Sequence, residues 1–339
     1  MGYNTASRCL AVACAVLALG GIAGGARGAV SSCSEVLLVT EDGERDPAGV
    51  ALAAALGKPL DYYVGVERAF EVKSVQVADL GRRPDATNVV IGGVVGGGTE
   101  IGRYIGAILG EEALGRLRSE RSAVYKKEDV PGPGQLTVVV AAASEADLVD
   151  CVEKRAEEIV EILESGCRDR LRDYFAGRID ERLSRRLHDT YGFSIEVPES
   201  YRVLAEGGDA PGVQLLCDGP ARLLGVTWLE WGSAPALADS SRLFAARAKY
   251  VWDAYDGDVM DAARVSFRLS HLGGFPAIEM SGYWSSSRSV AGGYYRTFFV
   301  YEPGERLVWA VDLLVFAPGM PKHPLLRELH AIAETFRYD

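Results

Sequence analysis

The chain has 339 residues, 36 Lys and Arg against 47 Asp and Glu, a formal net charge of −11, and 48% hydrophobic residues. That balance excludes a nucleic-acid partner, because such binding rests on neutralising phosphates with Lys and Arg. The negative sign by itself names no partner, since an acidic surface mainly keeps a protein soluble.

Residues 1–32 read as a signal peptide. Arg8 precedes an apolar, small-residue run from Cys9 to Ala23, shorter than the roughly 20 apolar residues of a membrane-spanning helix. Gly20, Gly21, Gly24 and Gly25 then weaken helix where a signal peptidase needs extended chain. Nothing later is apolar for long enough to span a bilayer. Val30-Ser31-Ser32-Cys33 resembles the lipobox of bacterial lipoproteins, although Arg27 and a glycine spacer separate it from the apolar run. Cleavage after Gly28 is the competing reading. The expectation is an exported bacterial envelope protein, lipid-anchored through Cys33 to a membrane facing the periplasm, with a soluble periplasmic protein as the alternative. A triacylated cysteine suffices as an anchor, because stable anchoring takes more than one chain.

After the leader about three hundred residues remain, enough for two domains with separate cores. Residues 33–166 are expected to form an N-terminal α/β domain. Glu35 to Thr40 is a β-rich apolar run, and Pro47 opens a helix through Val50, Leu52, Ala53 and Leu56 that Gly57 and Pro59 stop. A strand near Phe70–Val72 or Val75–Val77 follows, then a buried strand at Asn88–Ile91 and a helix from Glu100 to Leu117. After the turn at Pro131-Gly132-Pro133-Gly134 comes the strand Leu136–Val140. Strands alternating with helices make an α/β layer. Ser144 caps a helix whose face carries Leu148, Val152, Ala156, Ile159 and Leu163, and Gly166 is expected to end it. Cys151 and Cys167 on a straight helix stand about 24 Å apart, too far to pair.

Residues 167–190 read as a helical connector broken near Gly177, and residues 191–339 as a C-terminal α+β domain. Tyr191 to Pro198 alternates with period two, and strand patterns recur at 213–217, 223–231, 265–269, 277–284, 294–301 and 307–316. Helices are expected at 240–255 and 324–335. Both alternating sets of 307–317 are apolar apart from Asp312, so that strand is central and covered on both faces.

The segment Leu171-Arg172-Asp173-Tyr174-Phe175, the run Tyr191 to Pro198 and Tyr201-Arg202-Val203 resemble a family of bacterial envelope lipoproteins with no assigned function, domain of unknown function four-eight-three-seven. Gly273-Gly274-Phe275-Pro276-Ala277, Met280 to Trp284, Gly292-Gly293-Tyr294-Tyr295, Phe316-Ala317-Pro318, Leu325 to Leu329 and Thr335-Phe336 continue the likeness. The resemblance implies architecture and compartment and supplies no site residues. The second half also resembles the PsbP-like fold, implying an α-β-α sandwich with a mainly antiparallel sheet. A fold alone does not give a function.

Candidate chemistry is sparse. Gly92-Gly93 and Gly96-Gly97-Gly98-Thr99 follow a strand and open a helix, but match neither Gly-x-Gly-x-x-Gly nor a P-loop. Of the four histidines, His323 and His330 share a helix face without a complete ligand set, and His188 and Asp189, as helix neighbours, should diverge. There is no Gly-x-Ser-x-Gly elbow. No catalytic residue, metal ligand or cofactor is assigned. All five tryptophans fall in the second half, amid tyrosines and phenylalanines that first of all fill a core. Trp228 and Trp231, three apart, cannot face the same side of a regular strand. With Arg296 as a polar anchor they make the candidate ligand or partner face. The sequence therefore reads as a non-catalytic envelope lipoprotein, a partner-binding or assembly module whose domains bind a partner protein or an envelope ligand. The alternatives are a small-molecule or glycan-binding protein using the aromatic face, and an uncharacterised hydrolase.

Overall fold

The computed structural model describes residues 33–61, 65–83, 85–207, 211–255 and 257–339, so the expected signal peptide lies outside the described residues. Among the described residues the chain divides into two compact units, 33–60 with 67–170, and 171–339 with 61 and 65–66.

In the first unit β1 (Glu35–Val39), β4 (Glu71–Ser74), β5 (Asn88–Val94) and β7 (Leu136–Ala142) run parallel in the order β4-β1-β5-β7, and β6 (Ser122–Glu128) closes one edge antiparallel. A separate ribbon pairs β2 (Pro59–Asp61) with β3 (Val66–Arg68). The central strands read as unbroken apolar runs because both their faces are covered. Leu37, Val39, Val89, Ile91 and Val139 pack with α2 (Glu100–Glu120). Val36, Leu38, Val90, Val138 and Val140 pack with α1 (Pro47–Leu56) and α3 (Glu145–Ala176). Pro47 and the Asp46 carboxylate, which accepts from the Gly49 amide at 2.6 Å, start α1.

The expected end at Gly166 is corrected, because α3 runs on to Ala176. A Cβ at Gly166 would come within 2.2 Å of Leu136 Cδ2, so this glycine lets helix and sheet approach. Likewise a Cβ at Gly92 or Gly93 would strike Leu52 or Ile105; those glycines serve packing within β5. Strand β6 was not expected, its apolar residues being only Ala123, Val124 and Tyr125 between charged neighbours.

The second unit is built on a seven-stranded antiparallel sheet in the order β12-β13-β14-β15-β11-β10-β9. Its strands are β9 (Arg202–Glu206), β10 (Val213–Cys217), β11 (Ala221–Glu230), β12 (Val259–Leu272), β13 (Phe275–Ser285), β14 (Gly292–Glu302) and β15 (Leu307–Phe316). Helix α5 (Ser240–Ala254) packs over Tyr295, Phe299, Val308 and Leu314 on one face. Helix α6 (His323–Ala333) meets the other, where His330 stacks on Phe298 at 4.8 Å. The result is the expected mainly antiparallel α+β sandwich. The strand expected at 191–198 shrinks to β8 (Phe193–Ser194), paired with β16 (Arg337–Tyr338). The Ser184 hydroxyl and the Asp180 amide on α4 (Glu181–Tyr191) and its cap satisfy Val197 instead of a ladder.

Candidate functional site

The large sheet has two margins, the short β9 and the longer β12, and no further strand joins β12 among the described residues. Its register with β13 is broken between Met260 and Val265 and regular from Val265 to Leu272. Along that regular stretch Val265, Phe267 and Leu269 share the α5-side face, and Leu269 is 87% exposed. Arg268 and Ser270 on the opposite face reach the buried Glu279 carboxylate. Burial alone would raise the Glu279 pKa, but Arg296 and Arg268 outweigh it and hold the group below the ordinary glutamate value. Natural proteins blunt such edges with lysines, prolines, bulges or covering loops. Here the irregularity stops at Arg264 and an apolar stripe continues past it.

Strand β12 turns into β13 through Gly273 and Gly274, with φ of 59° and 85°, the left-handed pair that a two-residue hairpin needs. A Cβ at Gly273 would also meet the Phe336 carbonyl oxygen at 2.1 Å. At this turn opens a cleft of about 890 Å³, lined among others by Arg172, Arg185, His188, His271, Glu334 and Arg337. Arg172 is ion-paired to Glu334, and Arg337 Nη1 donates to the Glu334 and Phe336 carbonyls at 3.0 and 2.6 Å.

His188 decides what this cleft can do chemically. Its Nδ1 lies 3.3 Å from Asp189 Oδ1 and its Nε2 3.0 Å from Asp339 Oδ2. Sequence neighbours therefore meet here, contrary to expectation, at the exposed last turn of α4. Asp189 first, then Asp339, raises the His188 pKa above the ordinary imidazole value. A general base needs a ring nitrogen that can take a proton from the nucleophile, and both of these face carboxylates. Ser184, one turn earlier, accepts from the Val197 amide at 3.0 Å. At His188 the arrangement holds charge rather than activating the Ser184 hydroxyl.

The three predicted face residues do not share one surface. Trp228 pairs across from Trp309 and packs on it and on Tyr191, with ring centroids 5.6 and 5.7 Å away. Trp231 sits just past the end of β11 in the α5-side core, with Arg242 over its ring at 3.9 Å. Arg296 lies on the α6 side, its Nε 3.1 Å from Glu279 Oε1 and its Nη1 3.4 Å from His330 Nδ1. Trp228 and Trp231 do both line a recess of about 580 Å³ with Lys249 and Asp253. Cys33 is fully buried beside Cys167. His323 faces Arg327 at 3.1 Å, one turn along α6, while His330 is buried against Phe298.

Sequence reasoning missed two buried polar clusters. Arg247 on α5 donates to Asp312 at 2.9 and 3.0 Å and to Thr297 at 2.7 Å, its guanidinium over the Tyr295 ring at 3.5 Å, and Tyr255 donates to Asp312 at 3.1 Å. Asp312 was visible as an exception in an apolar strand. Its partner was legible too, since Arg247 falls in the stripe Leu243, Arg247, Tyr250, Val251 that α5 buries. On the other face Glu328 sits between Arg222 at 2.9 Å and the Tyr201 hydroxyl at 3.1 Å, and burial pushes its pKa up against the pull of Arg222.

Residues 248–335 match the family described as domain of unknown function (DUF4837). A crystal structure from Bacteroides thetaiotaomicron VPI-5482 is similar at 11% identity and a TM-score of 0.29, over 44% of this chain and 45% of its own. The chain thus spans less than half the length of that protein. The crystal structure of LpqN, described as involved in cell envelope biogenesis of Mycobacterium tuberculosis, is similar at 18% identity and a TM-score of 0.27, over 42% of this chain and 81% of its own. At such TM-scores neither likeness bears on function. No curated protein sequence matches the chain.

Proposed function

We propose that this chain is an exported envelope protein that works without catalysis, accepting an extended segment of a partner protein as an added strand along β12. Export rests on the charged, apolar and small-residue succession of the first thirty-two residues. The observation that carries strand addition is the regular margin from Val265 to Leu272, unjoined among the described residues, with Leu269 exposed on it. Main-chain groups along such a margin supply affinity, and alternate side chains supply selection. The fitting segment has apolar residues at alternate positions to cover Val265, Phe267 and Leu269, and polar or acidic residues between them to face Arg264 and Arg268. The charged cleft at the Gly273-Gly274 turn then receives the end of the segment.

The test is a photoreactive side chain at position 269 in the full chain, irradiated in cells and read by mass spectrometry of the crosslinked peptide. One partner segment with alternating apolar residues, lost when Val265→Lys is added, supports the reading. The same products from a probe at exposed Val50 on α1 would sink it.

One observation favours a second reading. The recess lined by Trp228, Trp231, Lys249 and Asp253 sets two tryptophans beside the Lys249–Asp253 ion pair, a mixed apolar and charged lining that suits a glycan or another small polar ligand. Tryptophan fluorescence titrated with envelope glycans tests it, and an unchanged spectrum across the series would remove it.

A further inference from the structure

We propose that Cys33 and Cys167 are joined by a disulfide in the exported protein, an inference that rests on the export reading. Cys33 lies two residues before β1 and Cys167 on α3, 134 positions apart in sequence. The Cys33 Sγ lies 3.9 Å from the Cys167 carbonyl oxygen, and the Cys167 Sγ lies 3.4 Å from the Cys33 carbonyl oxygen. Only immediate neighbours make both contacts, and a disulfide asks for Cα atoms about 4.4–6.8 Å apart. Both residues are 0% exposed and share the core under α1 and α3.

The surroundings of Cys167 suit the chemistry. Arg170 Nη2 donates to its sulfur at 3.4 Å, and Asn88 Nδ2 approaches at 3.8 Å, so a cation and an amide face the atom that must react as a thiolate. The bond forms by exchange with a protein disulfide of the exported compartment. The Cys167 thiolate attacks one sulfur of that oxidant, whose other sulfur leaves as a thiolate. The Cys33 thiolate then attacks the Cys167 sulfur and expels the remaining oxidant sulfur. The two protons released by the Cys33 and Cys167 thiols pass through solvent to the oxidant's two sulfurs, two electrons reduce the oxidant to a dithiol, and one S–S bond closes. Because the folded chain buries both sulfurs, exchange belongs to folding after export.

The bond ties the entry to β1 to the helix covering that face of the sheet, and it excludes a lipid thioether on Cys33. Cys33, Cys151, Cys167 and Cys217 are all free thiols in the structure; the proposed bond joins the first and third, and leaves Cys151 and Cys217, whose sulfur takes a hydrogen bond from Arg222 at 2.8 Å, as thiols.

The experiment has two arms on the full chain. Purified protein is refolded in oxidised glutathione, alkylated under denaturing conditions and mapped without reduction. A Cys33–Cys167 peptide pair two hydrogens lighter than its thiols, with a Tm that falls on reduction in the wild type and not in Cys167→Ser, supports the pairing. Alkylation of both residues overturns it wherever the protein resides. The same mapping is then applied to protein from fractionated cells. A closed bond in envelope material supports the proposal, and alkylated thiols or a lipid mass on Cys33 there overturn it. Recovery in the reducing cytoplasm alone, with the bond closing in glutathione, overturns the export reading instead.

Discussion

Asp312→Ala removes the carboxylate at the centre of the second unit. Asp312 and Arg247 are each about 1% exposed at their side chains. Asp312 accepts from Arg247, from the Thr297 hydroxyl and from the Tyr255 hydroxyl. The substitution strands a guanidinium in the core with Thr297 and the Tyr295 ring as company and no counter-charge. Breaking one side of such a pair costs about 3–5 kcal/mol. At roughly 2–4 °C per kcal/mol for a unit of this size, Tm falls by about 6–20 °C. All five tryptophans lie in the second unit, so tryptophan fluorescence in a urea titration follows this unit alone. The double variant Arg247→Met with Asp312→Leu removes both charges at similar volume and should recover most of the loss. A single variant within about 1 kcal/mol of wild type, or a double variant as unstable as the single, would refute the reasoning.

Gly166→Ala improves helix propensity by about 1 kcal/mol, yet the added Cβ meets Leu136; a net loss of about 1–3 kcal/mol is expected in chemical denaturation followed by far-UV circular dichroism. Asp46→Ala removes the α1 cap and should cost about 1 kcal/mol by the same assay. Glu279 is held below the ordinary glutamate pKa, so its contribution is complete above that ordinary value and disappears as pH falls through the lower folded value. Melts taken at decreasing pH should therefore show an acid limb that Glu279→Gln flattens, with a loss of about 2 kcal/mol at neutral pH, smaller than for Asp312 because Arg268 reaches water.

The layered fold was legible because burial on both faces writes itself as apolar runs, as at Val89–Ile91 and Val138–Val140. Boundaries were less so where one residue has two physical uses. Gly166 is a helix stop by propensity and a close-packing site by contact, and only Leu136, thirty positions earlier in sequence, decides between them. The alternation at 191–198 promised a strand, but Ser184 and Asp180 satisfied the backbone that a ladder would have used. The Trp228 and Trp231 argument held in its geometry, the first packing against Trp309 and the second past the strand end under α5. Arg296 was read as a polar anchor for the aromatic face, and the register turns it toward Glu279 and His330. Strand β12 was seen only as 265–269. That a strand lies at a margin is a property of sheet order, which no local pattern encodes.

The most direct measurement is amide hydrogen exchange on the full chain, alone and with the partner segment identified by the crosslink from position 269. Strand addition predicts that alternate amides between Val265 and Leu272, those directed away from β13, gain protection while their neighbours stay as they were. Protection confined to other elements, with the β12 amides unchanged, would contradict it.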